Sequence, residues 1–318
     1  MSDQVFLGGL KRLEISDKPG RIERCESNFK RFLSEGGKVS GPLLMLMDAL
    51  VAQTLQALFK QGDIEQAKES AFDVGRVLAL YSHFYPADMG KSPDSQLLYP
   101  LISDSPELIH WGKQYFIPLL RKSQGKYVCD NINNPEFHAL QLRLALAGDW
   151  GLLKSRAEAF LSGSPKKYKL YAIDSRFYIA MCEGNIHEME AAISELLSPK
   201  VLRHRDAEPC WGLEHRLFSP WPFILSKIAF INGFCLDVHI PNIPGDILRV
   251  SPLKSYSSDL DILEEVSLFA PFSDFEEISV KNLKALSPRS MSSSILSFGE
   301  ALKVANKEHN VGQLLERD

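Results

Sequence analysis

The stretch "LALAGDWGLL" (Leu144–Leu153) places an apolar run before a glycine, then an aspartate, then a second apolar run. Close echoes stand at "ALFKQGDIEQA" (Ala57–Ala67) and "IAMCEGNIHEM" (Ile179–Met189). Aligned on Gly62, Gly148 and Gly184, the pairs Leu58-Phe59, Leu144-Ala145 and Ala180-Met181 fall four and three positions upstream. Downstream, Ile64, Trp150 and Ile186 open a series that continues three, seven and ten residues later. Its members are Ala67, Leu153 and Met189, then Ala71, Ala157 and Ile193, then Val74, Phe160 and Leu196. That spacing traces one face of an α-helix. The glycine can end a helix in the left-handed conformation without a Cβ clash. The next residue, Asp63, Asp149 or Asn185, can accept an orphan backbone N–H of the following helix. The predicted unit is helix, glycine, N-cap, helix. Reading Asp63 and Asp149 as a catalytic carboxylate pair is the weaker alternative, because capping explains residue type, position and repetition together.

Working outward, the same logic predicts an all-α chain, an array of antiparallel helical hairpins with repeat-like character. Gly148 and Gly184 lie 36 residues apart, near the ~34-residue tetratricopeptide period, but that family's Trp, Tyr and Pro pattern is absent. Residues 1–20 read as a polar arm with at most a short strand at Val5–Leu7, closed by Pro19-Gly20. Residues 21–135 form an N-terminal helical part and 136–318 a hairpin part within one domain. "RIERCESNFKRFL" has helical spacing through Ile22, Cys25, Phe29 and Phe32, and Gly36-Gly37 ends it. Ser40 is placed to cap a strongly apolar helix whose first turn holds Pro42. "FCLDVHIPNIPGDIL" is cut by Pro241 and Pro244 and reads as an extended connector. A Ser- and Pro-marked loop precedes a last helix of about Ser294–Leu315.

With 318 residues, of which 45% are hydrophobic and 24% charged, burying a core is not limiting. The net charge of −4 argues against a protein built to grip nucleic acid directly. Five scattered cysteines without a C-x-x-C suggest neither a disulfide framework nor a zinc site. The N-terminal stretch lacks an apolar signal region, and the run at Leu43–Leu50 is interrupted by Asp48 and short for a membrane span. A cytoplasmic address is the expectation.

No catalytic motif stands above background. "RHRDAEPCWGLEHRLFSPW" (Arg203–Trp221) is the densest polar stretch. A Cys210/His215 nucleophile pair, or Glu214 with His204 as acid and base, can be drawn there, but nothing supplies an oxyanion hole. A loop of mutually paired charges with Trp anchors in the core is the plainer reading, and a protein-binding loop the intermediate one. His187-Glu188 lacks the second histidine of a zincin motif. With Glu183, Glu190 and Glu195 it makes an acidic helix face, which is either solubility or a surface for a basic partner.

From Asp174 to Leu253 the chain resembles the immunity protein 49 family, bacterial antidotes of polymorphic toxin systems. The resemblance is carried by the Gly-Asn turn with the helix ending "ISELLSPKVLRHR" (Ile193–Arg205), by "WPFILSKIAFINGF" with Ala229 and Gly233, and by the exit "LDVHIPNIPGDIL". It implies an all-α, non-enzymatic cytoplasmic protein without cofactor or metal. Such a protein neutralises a cognate toxin, the C-terminal domain of a secreted effector, by stoichiometric binding; nucleases are among such toxins. It transfers no contact residues. The clustering of acids nominates Glu183, His187, Glu188, Glu190, Glu195, Asp206, Glu208 and Glu214 as toxin-binding residues. The alternatives are a helical-repeat scaffold for a cellular protein or peptide and, further off, a helical hydrolase.

Overall fold

The computed structural model describes residues 3–16, 19–84, 95–114, 122–123, 126–163, 165, 168–205 and 212–263. The expected final helix at 294–315 and its Ser-rich approach lie outside the described residues. The chain is all-α. Its elements are α1 (Asp3–Ser16), α2 (Arg21–Ser34), α3 (Ser40–Gln56), α4 (Ile64–Phe84), α5 (Ser95–Ser103), α6 (Pro106–Gln114) and α7 (Pro135–Ala147). They continue with α8 (Trp150–Ser162), α9 (Ala172–Glu183), α10 (Ile186–Leu196), α11 (Pro199–Arg205), α12 (Pro220–Ile231) and the single-turn α13 (Gly245–Leu248). A two-rung antiparallel ladder, β1 (Lys122–Ser123) on β2 (Lys126–Tyr127), is the only strand pairing among the described residues.

The three echo turns are built as the spacing requires. Gly62, Gly148 and Gly184 have φ of +69°, +78° and +70°, the left-handed region that favours glycine. The caps are formed: the side-chain oxygens of Asp63, Asp149 and Asn185 accept from Gln66, Leu152 and Glu188 N–H at 3.0, 3.2 and 3.2 Å. Backbone bonds close the last two helix ends in the Schellman pattern, Asp149 N–H to Leu144 O at 3.0 Å and Asn185 N–H to Ala180 O at 2.8 Å. At the first turn α3 continues as a π-turn, Ala57–Gln61. The matching bond there reaches one residue further back, Asp63 N–H to Ala57 O at 2.9 Å. The turns are therefore alike in their caps and unlike in the helix that feeds them, and the unit does not establish a regular repeat.

Burial follows the periodic series except at its first member. Ala67, Leu153, Met189, Ala71, Ala157, Ile193 and Phe160 are 0% exposed, whereas Ile186 is 40% exposed. Trp150 and Ile64 are half-buried. The first helical residue lies at the rim of the bundle, so the inward face begins one turn later. α3 supplies the interior through Leu43, Leu46, Leu50 and Leu55, all buried, and packs against α2 on one side and α4 on the other. With its π-turn it forms an apolar helix of 22 residues, Ser40–Gln61, long and apolar enough to cross a membrane by composition. Its inward face is core. The main apolar cluster has members from Leu13 to Leu263 and draws on helices along most of the described chain.

Three local expectations are corrected. The N-terminal arm with a strand at Val5–Leu7 is helix α1. Phe6, Leu10 and Leu13 share one face, Phe6 meets Phe59 edge-on at 6.1 Å, and Leu13 is fully buried. Gly9 allows the approach, since a Cβ there would lie 2.9 Å from Leu217 Cδ2. Ser40 is the first residue of α3 rather than its cap; Val39 holds that position without a side-chain bond. The Pro-marked connector Phe234–Leu248 is non-helical up to Pro244 and buries Leu236, Ile240 and Ile243, but its last four residues form the single-turn α13 rather than extended chain.

Substituting Gly184 tests the turn without a packing confound, because no neighbour lies within 4 Å of an added Cβ. Gly184→Ala is expected to cost about 1–2 kcal/mol through its left-handed φ, and Asn185→Ala about 1 kcal/mol through the lost cap. Urea unfolding of each variant measures both.

Candidate functional site

The nominated acids divide into three groups. Four lie at or beside the α9–α10 turn or along α10 with defined partners. Glu183 pairs with Lys154 at 2.9 Å, and Glu195 with Arg176 at 2.5 Å. Glu190 accepts the Asp237 N–H at 2.7 Å, and Glu188 receives the Asn185 cap on its own N–H. His187 and Glu188 project from the first turn of α10 and are exposed. Asp206 and Glu208, with Cys210, lie outside the described residues.

Glu214 departs from the expectation of a surface acid: it is 7% exposed and accepts the Tyr99 hydroxyl at 2.6 Å. Burial pushes its carboxyl above the usual range, so it serves to join the 214–216 turn to α5. The acid/base pairing drawn with His204 is also corrected, since His204 is exposed while Glu214 is engaged inside.

The acidic turn sits beside a second capped turn. Cys182 Sγ donates to Trp150 O at 3.4 Å, which brings the end of α9 to the start of α8. A shallow groove there is lined by Trp150, Gly151, Lys154, Ser155, Glu158 and Cys182. Leu152 and Ile186, each 40% exposed, stand in the first turns of α8 and α10. Glu183, His187 and Glu188, at and beside the α9–α10 turn, are exposed as well. Ion pairs as exposed as Glu183–Lys154 contribute little to stability, so exchanging their partners is energetically easy.

Sequence reasoning missed the charges that are buried. Asp104, 1% exposed, lies between two ammonium groups, Lys227 at 2.6 Å and Lys68 at 2.9 Å. Lys227 also donates to Ile247 O at 2.6 Å and Arg249 O at 2.7 Å, while Lys68 donates to Ser251 O. Burial, opposed by Asp104, pulls Lys227 down to about 8. The detectable signal was Lys227 itself, the one charge in the otherwise apolar or neutral α12. A second cluster joins Asp174, Arg205 and Trp221: one carboxylate oxygen accepts Arg205 Nη2 at 3.1 Å and Trp221 Nε1 at 2.9 Å. Beside it His138 is buried with its ring centroid 4.1 Å from that of Tyr171. Burial, with Arg205 and Arg156 adding to it, lowers its imidazole to about 3 against the opposing Gln141 amide.

No protein-family model, curated protein or solved structure matches the chain.

Two predictions follow from these clusters. Asp104→Asn leaves two buried ammonium groups without a counter-charge and should cost about 3–5 kcal/mol. Lys227→Met leaves the neutral Lys68–Asp104 pair and strands carbonyls, so its cost should be lower, about 1–3 kcal/mol; urea midpoints rank the two. For His138, the folded-state value of about 3 lies below the ordinary 6.5. The unfolded chain then binds the extra proton between those values, and stability falls as pH drops through that window. The slope is about 1.4 kcal/mol per pH unit. His138→Gln should remove that slope, measured as the difference between variant and wild-type unfolding free energies from pH 7 to pH 4.

Proposed function

We propose that this chain is a cytoplasmic immunity protein that neutralises a cognate bacterial toxin domain by forming a stoichiometric complex with it, without catalysis. The observation that carries the reading is that the first turns of α8 and α10 expose Leu152 and Ile186, while Glu183, His187 and Glu188 are exposed at and beside the α9–α10 turn. Aliphatic anchors inside a charged rim are the anatomy of a protein interface. The capped turns beneath them hold the backbone in place, which lowers the ordering cost of association. Acidic groups suit a toxin whose cleft is basic, as a nuclease's must be to hold phosphates, and they would steer its approach. The stretch that resembles the immunity protein 49 family also supports the reading: α9, α11 and α12 within it are tied together by the Asp174–Arg205–Trp221 contacts. A complex of this kind buries about 1,600 Å².

The test is to identify a toxin domain encoded by the neighbouring gene and to co-express it with this chain, scored for growth and for a 1:1 complex by size exclusion. Rescue with a complex is expected. Ile186→Asp with Glu188→Lys should weaken binding at least tenfold and abolish rescue. Failure of the wild-type chain to rescue or bind would contradict the function. Rescue by the double variant with undiminished affinity would contradict the surface.

A further inference from the structure

The Arg205 guanidinium occupies an enclosure made by three other elements. Its carbon lies 3.6 Å from the centroid of the Tyr171 ring and 4.5 Å from that of Trp221. Tyr171 and Trp221 themselves meet edge-on at 5.6 Å. Asp174, from the first turn of α9, supplies the charge at 3.1 Å and is 1% exposed. Arg205, Tyr171 and Trp221 are 4%, 7% and 4% exposed. Behind Tyr171, the buried His138 ring from α7 backs the aromatic wall.

We propose that Tyr171, Asp174 and Trp221 form a guanidinium-recognition cage, occupied in cis by Arg205, which latches α11 onto the bundle. The enclosure matches a guanidinium in shape as well as charge. A planar cation can lie against one ring and near a second while its edge N–H groups reach a carboxylate; an ammonium, compact and strongly hydrated, cannot do both. The indole N–H donates to the same oxygen as Arg205, which fixes the carboxylate independently of the cation. The cage walls therefore come from α9, the turn before it and α12, and Arg205 is the only part contributed by α11. Ligands of this class are guanidinium groups, whether of this chain or supplied from outside.

Arg205→Ala empties the cage, and its melting temperature is expected to fall roughly 10 °C below wild type. Millimolar ethylguanidinium should restore part of the loss, and ethylammonium at equal concentration should not. If Arg205→Ala does not fold during expression, the same comparison is read as soluble yield on refolding with each cation. Arg205→Lys, which keeps the charge, should remain close to Arg205→Ala. Restoration by ethylguanidinium must disappear when Asp174→Asn is added. Equal restoration by both cations, no restoration by either, restoration that survives Asp174→Asn, or a lysine variant as stable as wild type would each overturn the proposal. None of these outcomes bears on toxin binding, which is scored separately.

Discussion

The described part of this protein is held together at one point by a buried carboxylate that two buried lysines share. Asp104 ends α5 in a left-handed conformation, φ +58°, and points its side chain to Lys68 of α4 and Lys227 of α12. Asp tolerates that backbone better than most residues with a Cβ, so one residue can turn the chain and neutralise charge. Two ammonium groups around one carboxylate leave an excess positive charge in the interior. That excess is spread over backbone carbonyls at 247, 249 and 251. The segment after α13, with little regular structure of its own, is therefore fixed largely by side chains from the helical body. Arg76 extends the pattern by donating to Leu263 O at 2.7 Å, and Tyr256 of the segment itself adds a tie in the other direction by donating to Ser103 O at 2.6 Å.

The opposite region is organised by turns. Around α7–α10, a glycine stop and an Asx cap make the α7–α8 and α9–α10 reversals short and hydrogen-bonded, and the helices pack in sequence on one another. Short reversals leave little slack, so side chains at the rim keep a fixed arrangement. Ile186, Leu152 and Glu188 occupy first helical turns, at the rim of the bundle. The Arg205 cage joins the two regions, since Asp174 belongs to the hairpin array and Trp221 to α12, the helix that also carries Lys227.

The fold class and the three capped turns were legible because they depend on local rules: a period, a glycine and an Asx residue in adjacent positions. The N-terminal helix was not. Gly8-Gly9 argues against a helix locally, and the compensation comes from Phe59 and Leu217, distant in sequence. Glu214 was misread for the same reason, because its partner Tyr99 lies 115 residues away. Local polarity marks a stretch as surface unless a remote donor is brought to it. Lys227 was passed over although it is the one charge in an otherwise uncharged helix, and nothing local identifies Asp104 as its partner. Of the expected acidic face, Glu183, Glu188 and Glu195 are exposed, whereas Glu190 is half-buried and spent on the Asp237 backbone.

The central claim is that side chains of the helical body, through Asp104, hold the 247–263 segment in place. Backbone hydrogen exchange in Lys227→Met compared with wild type tests it most directly. The account predicts that amides of 247–263 lose protection while those of α7–α10 keep theirs. Unchanged protection in 247–263, or an equal loss across the whole chain, would contradict it.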